Sequence, residues 1–148
     1  EDLQKAVDAG AHLAVFTELA VTGYPPRDLL DYPEFIRDAE DALAQIRTVC
    51  GRLGIHAIVG AVVPNPFPGK KALCNAAVHL SADAGIEPTI IYKKLLPTYD
   101  VFDEYRYFEP GTEYDIIKYK NKKIALTICE DIWNVEGSYL YQKSSNST

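Results

Sequence analysis

Positive charge is in short supply along this chain of 148 residues, where 15 lysines and arginines face 21 aspartates and glutamates for a formal charge of -6. Nucleic acid and anionic membrane surfaces both demand a basic face, so the balance disfavours them and favours a small-molecule substrate. Cysteine is scarce as well. The three thiols, Cys50, Cys74 and Cys129, are odd in number and form no close pair, which speaks against a disulfide framework, a metal site or a redox pair. No run of about 18 apolar residues and no secretory signal occurs, the pattern of a soluble, cytoplasmic protein. Methionine is absent even from the first position, which suggests a piece of something longer. There is no glycine-rich phosphate loop, and Gly51, Gly54 and Gly60 are too scattered for a dinucleotide fingerprint.

What is present is ordinary globular composition, 47% hydrophobic and 24% charged, enough for one domain with a sizeable core. Residues 1 to about 9 read as the end of a helix, with Gly10 as its stop. Leu13 to Phe16 is a short apolar run of the buried-strand kind, and Gly23 to Asp28 is loop. The clearest helix runs from Pro33 to Leu53: Ile36, Ala39, Leu43, Ile46, Cys50 and Leu53 recur at spacings of three and four, Pro33 suits the first turn and Gly54 the end. Cys50 lies on that stripe and reads as packing. Ile55 to Val63 is a strand, and Pro64 to Gly69 a surface loop. Two hairpins follow: Ala76–Leu80 with Thr89–Tyr92 around an Ala-Asp-Ala-Gly turn, then Tyr114–Tyr119 with Lys123–Ile128. Between them lies an irregular stretch from Lys93 to Gly111, rich in Tyr and Phe beside Asp103, Glu104 and Arg106. A loop that long is uncommon unless it does something, and it reads as an ordered wall. Strands alternating with an amphipathic helix and followed by hairpins give a mixed, layered α/β pattern.

Three residues occupy the same kind of place. Glu18, Lys93 and Cys129 each come where an apolar strand gives out into a loop, and adjacent strands would bring such ends together. A thiol there could be a nucleophile, a carboxylate its proton acceptor, and an ammonium the cation that favours the thiolate and a developing oxyanion. On spacing alone, Cys129 reads more readily as a small buried hydrophobe, as most unpaired cysteines are, and charged residues often flank strands.

Three segments then carry a family resemblance: FTELAVTGYPPRDLL around Glu18, KKLLPTYDVFDEYRYFEPG from Lys93, and ALTICEDIW around Cys129. Their order and separations resemble the nitrilase, or carbon-nitrogen hydrolase, superfamily, and most closely the glutaminase domains of glutamine-dependent NAD+ synthetases, over about Ala11 to Trp133. The resemblance implies an α-β-β-α sandwich built on paired sheets, incomplete here. It implies Cys129 as nucleophile, Glu18 as general base and Lys93, four positions before Pro97, as the catalytic lysine, with Lys94 a neighbour. The Glu130 main-chain amide becomes an oxyanion donor. Tyr24, Tyr99, Glu104 and Glu130 match positions lining the substrate pocket, where carboxylates can pair with a substrate ammonium. Cys74, His12, His56 and His79 match no catalytic element and read as structural.

The same resemblance implies glutamine as substrate, no cofactor or metal in this domain, and ammonia delivered to a synthetase domain, absent from these residues, that uses ATP and Mg, in a homo-oligomer when complete. No Ser-Gly-Gly-X-Asp-Ser type ATP loop occurs in the sequence. An opening strand before Glu1 and strands after Trp133 are expected and missing. The division reads as a partial hydrolase domain over residues 1–134 and a polar tail of unassigned role over 135–148. Two alternatives stand beside this: a stand-alone amidase of the same superfamily, and a non-catalytic remnant that kept the sandwich.

Overall fold

Three layers stack in the protein, helices on sheet on sheet. The computed structural model describes residues 1–67, 70–83, 85–112 and 116–133. Tyr114 at the start of the second expected hairpin, Ala84 in the first hairpin's turn, Gly69 at the end of the proline-rich loop and the tail 135–148 lie outside these residues.

Helix α1 (Asp2–Asp8) leads through Gly10, at φ +79°, into β1 (Leu13–Val15). β1 pairs in parallel with β2 (His56–Pro64), Leu13 opposite His56. Parallel neighbours need a crossover, and α2 (Pro33–Leu53) supplies it. Its bounds match the apolar stripe, with Pro33 in the first turn and Gly54 in the left-handed conformation at its end, donating N–H to Cys50 O. β3 (Leu73–Leu80) runs antiparallel to β2, and β4 (Thr89–Tyr92) antiparallel to β3, giving a four-stranded sheet in the order β1-β2-β3-β4. β5 (Ile116–Tyr119) and β6 (Lys122–Ala125) form a second, two-stranded sheet.

Seven consecutive residues of β2 and seven of β3 are buried, as their nearly continuous apolar sequence requires when both faces are covered. On one face Ala57, Val59, Ala61, Val63, Cys74, Ala76, Val78 and Leu80 pack with Leu3, Cys50 and Ile55 under the helices. On the other, Ile58, Ala77 and Ile91 meet Ile117, Ile124, Leu126 and Ile128 of the second hairpin. His56 and His79 stack across β2 and β3 with Nδ1 and Nε2 3.2 Å apart.

Two expectations shift. β3 begins at Leu73, three residues before Ala76, because Cys74 and Asn75 continue the ladder opposite Val63 and Val62. β6 ends at Ala125, short of the expected Ile128; the residues that its register sets opposite Leu126–Ile128 are 113–115, outside the described residues. The long stretch after Lys93 contains a single helical turn, α3 (Glu104–Tyr107), whose Glu104 is buried.

Candidate active site

Register decides which side chains meet. Directly opposed residues of an antiparallel pair project to the same face. Ala77 lies opposite Ile91, so two residues further on Asn75 lies opposite Lys93, whose N–H donates to Asn75 O at 2.8 Å. Asn75 and Lys93 therefore rise side by side at the strand ends, on the face that carries Ile58 and Ile91. Glu18 arrives from the turn after β1, which lies flat on the sheet at Gly60. A Cβ on Gly60 would stand 2.3 Å from Leu19 N and 2.4 Å from Thr17 O, so only glycine admits this approach. Leu19, fully buried with φ +48°, anchors the turn.

The result is one cation between two carboxylates. Lys93 Nζ donates to Glu18 Oε1 at 2.6 Å and to both oxygens of Glu104 at 2.8 Å. Asn75 Nδ2 donates to the same Glu18 oxygen at 2.7 Å and reaches Glu104 Oε2 at 3.4 Å. Tyr24 donates its hydroxyl to Glu104 Oε1 at 2.7 Å. Lys93 is 0% exposed, and a cation so placed persists only if paired. Burial pulls the ammonium down, but hydrogen bonds to Glu104 and Glu18 outweigh it and hold Lys93 above its ordinary value. Tyr24 is pushed upward by burial first and by its bond to Glu104 second.

Cys129 opens a 3₁₀ turn, Cys129–Ile132, and has φ +44°, an uncommon conformation for a residue with a side chain. The turn is held by Asp131, whose buried carboxylate accepts from Ile128 N–H at 3.0 Å, Leu95 N–H at 2.9 Å and Lys94 N–H at 3.1 Å. One side chain thus ties the cysteine turn to the strand end bearing Lys93. Cys129 and Glu18 line the same cavity of about 130 Å³, with Gly60, Ala76 and Thr127 in its wall.

The thiol differs from expectation in its protonation. Although the residue is exposed, desolvation of its thiol, and after it the charge of Glu18, push Cys129 above its ordinary value, while Lys93 pulls the other way and does not prevail. The resting group is a thiol, so its proton must leave as it reacts. Tyr99 donates to Glu130 Oε2 at 2.7 Å beside this turn, and Phe102 sits between Tyr24, tilted to it at a centroid distance of 6.2 Å, and Tyr99, edge-on at 5.6 Å.

A carbon-nitrogen hydrolase profile matches residues 2–145. The chain belongs to the carbon-nitrogen hydrolase family. It is 42% identical over 139 residues to a glutamine-dependent NAD(+) synthetase of Synechocystis, a match covering 90% of this chain and 24% of that protein. A protein of the same description from Thermotoga maritima is 38% identical over 135 residues, covering 90% and 22%. The chain thus spans about a quarter of the length of these curated relatives. Among solved structures, glutamine-dependent NAD+ synthetase from Acinetobacter baumannii superposes with a TM-score of 0.83 at 30% identity, over 97% of this chain and 26% of that one. An amidase from Nesterenkonia sp. shares the fold, with a TM-score of 0.73 at 20% identity over 90% and 48%.

Against this family background, Glu18 and Lys93 are in contact and Cys129 shares a cavity with Glu18, while Tyr99 and Glu130 pair with each other beside the thiol. Glu104 lines a cavity of about 350 Å³ together with Tyr24, is 5% exposed, and has Lys93 facing both its oxygens. Sequence reasoning missed Asn75 and Asp131. Each carried a signal, a polar residue in an apolar strand and an acid two positions beyond the cysteine, both costly to bury without partners.

Proposed function

We propose that this chain is the ammonia-releasing part of a glutamine-dependent NAD+ synthetase, hydrolysing the side-chain amide of glutamine at Cys129. The observation that carries the reading is the Glu18–Lys93 contact of 2.6 Å beside a cavity shared by Glu18 and Cys129, in a member of the carbon-nitrogen hydrolase family.

Glu18 accepts the thiol proton as Sγ attacks the carboxamide carbon, and the C=O electron pair moves onto oxygen. Lys93 stabilises this oxyanion by charge, worth about 4 kcal/mol at 4 Å and an effective dielectric near 20. Its three protons already face three carboxylate oxygens, so the hydrogen bond comes from elsewhere, the Glu130 main-chain N–H. Collapse expels ammonia with the proton returned by Glu18. Water, deprotonated by Glu18, then cleaves the thioester to glutamate and restores the thiol. Glu104 holds Lys93 in place, and Tyr24, Tyr99 and Glu130 line the approach.

The ammonia would pass to a synthetase segment outside these residues, where ATP and Mg serve amidation of deamido-NAD+ in a homo-oligomer; no cofactor is assigned to this part. A stand-alone amidase is less well supported, since identity reaches 42% with a synthetase and 20% with the Nesterenkonia amidase. The test is ammonia release from glutamine by the product of the full reading frame. Loss of release in Cys129→Ala is expected, and undiminished release would overturn the assignment.

A further inference from the structure

We infer that Asn75 is a positioning residue of this centre: with Lys93 it occupies Glu18 Oε1, leaving Oε2 as the oxygen that exchanges the proton with Cys129. The inference rests on the reading of Cys129 as nucleophile and Glu18 as base. A carboxylate oxygen offers two lone pairs. Both on Oε1 are taken, by Lys93 Nζ at 2.6 Å and Asn75 Nδ2 at 2.7 Å. Among the described residues no hydrogen bond of Glu18 falls on Oε2. The terminal torsion of a glutamate is broad and nearly two-fold, so one donor would let the oxygens exchange places, whereas two donors on one oxygen from the rigid ends of adjacent strands hold the carboxylate plane.

The amide can face the cluster only one way. Turned over, Oδ1 would point at the carboxylate oxygens of Glu18 and Glu104, acceptor against acceptor. In the orientation it adopts, Asn75 is 1% exposed and its Oδ1 is buried with no hydrogen-bond partner among the described residues. A buried unpaired acceptor is uncommon and disfavoured, which a side chain present for packing would have no reason to tolerate. The donor end is what the position requires.

The experiment compares Asn75→Ala, Asn75→Ser and Asn75→Asp in the product of the full reading frame, measuring kcat and KM for glutamine, thermal unfolding, and iodoacetamide labelling of Cys129. Loss of the donor in Asn75→Ala should lower kcat about tenfold to a hundredfold with KM within about twofold, and the hydroxyl of Asn75→Ser should recover part of it. Asn75→Asp, although isosteric, should have lower kcat than Asn75→Ala, because an ionised carboxylate replaces a donor with a third negative group around Glu18, Glu104 and Lys93 beside the Tyr24 hydroxyl. Its deficit relative to the parent should shrink as pH falls and the introduced carboxyl regains a proton to donate. If Asn75→Ala unfolds, the ranking of Ser above Asp carries the same test. Activity in Asn75→Asp equal to or above the other variants, or a loss confined to KM, would overturn the inference. If Cys129→Ala still releases ammonia, the underlying reading fails instead, whatever position 75 shows.

Discussion

Adding a single methyl group at Gly60 should disable the site without altering any of its functional side chains. The ideal Cβ would lie 2.3 Å from Leu19 N, 2.4 Å from Thr17 O and 2.7 Å from Glu18 C, and contacts of that kind relax only near 3.4 Å. The Thr17–Leu19 turn must therefore withdraw by about 1 Å, and a displacement of that size costs roughly a hundredfold in rate. Glu18 would move away from Lys93 and from the cavity it shares with Cys129. Overpacking of this kind also costs about 1 to 3 kcal/mol of stability. The assay is glutamine hydrolysis by Gly60→Ala beside its denaturant unfolding curve, with Gly54→Ala as comparison. Gly54 has φ +66° and no atom within 4 Å of an added Cβ, so that change strains the backbone far from the chemistry and should lower stability while leaving kcat within about threefold. A Gly60→Ala protein that turns over glutamine at the parent rate would refute the claim that the sheet surface at Gly60 sets the position of Glu18.

The pH dependence of Cys129 alkylation gives a second expectation with opposite signs for two variants. Since Glu18 raises the thiol and Lys93 lowers it, Glu18→Gln should move the midpoint for iodoacetamide reaction to lower pH and Lys93→Ala to higher pH; parallel shifts would contradict the electrostatic account. Asp131→Asn replaces a carboxylate that accepts three main-chain N–H groups with an amide that has one acceptor oxygen. It should cost about 1 to 3 kcal/mol in urea unfolding for a stranded buried donor and lower kcat, since the Cys129 turn loses its tie to the Lys93 strand end; unchanged values for both would show that the turn holds itself.

Much of the scaffold was legible in the residues because apolar periodicity and Pro and Gly punctuation act locally. α2 begins at Pro33 and ends at Leu53 as its stripe predicts, and β4 spans Thr89–Tyr92. The strand ends drew attention to Glu18, Lys93 and Cys129 for the same reason, since a charged or reactive group just past a buried strand is visible in sequence. What was not legible depends on register and on distant partners. A polar residue in an apolar strand marks Asn75, but it sits opposite Lys93 only because β3 starts at Leu73, and nothing local fixes that register. Glu104 reads as one acid among several in the aromatic stretch, and its place against Lys93 arises from the single turn of α3 closing back on the strand end. The raised thiol of Cys129 reflects desolvation first and the competition of Glu18 with Lys93 after it, which spacing along a chain cannot rank.

The most direct test of the central claim is covalent labelling of the product of the full reading frame with a diazo-ketone analogue of glutamine, followed by peptide mapping. Cys129 is exposed, whereas Cys50 and Cys74 are buried, and the account predicts modification at Cys129 alone, slowed by added glutamine and abolished in Cys129→Ala. Modification mainly at Cys74 or Cys50, or labelling of Cys129 that glutamine does not slow, would contradict it.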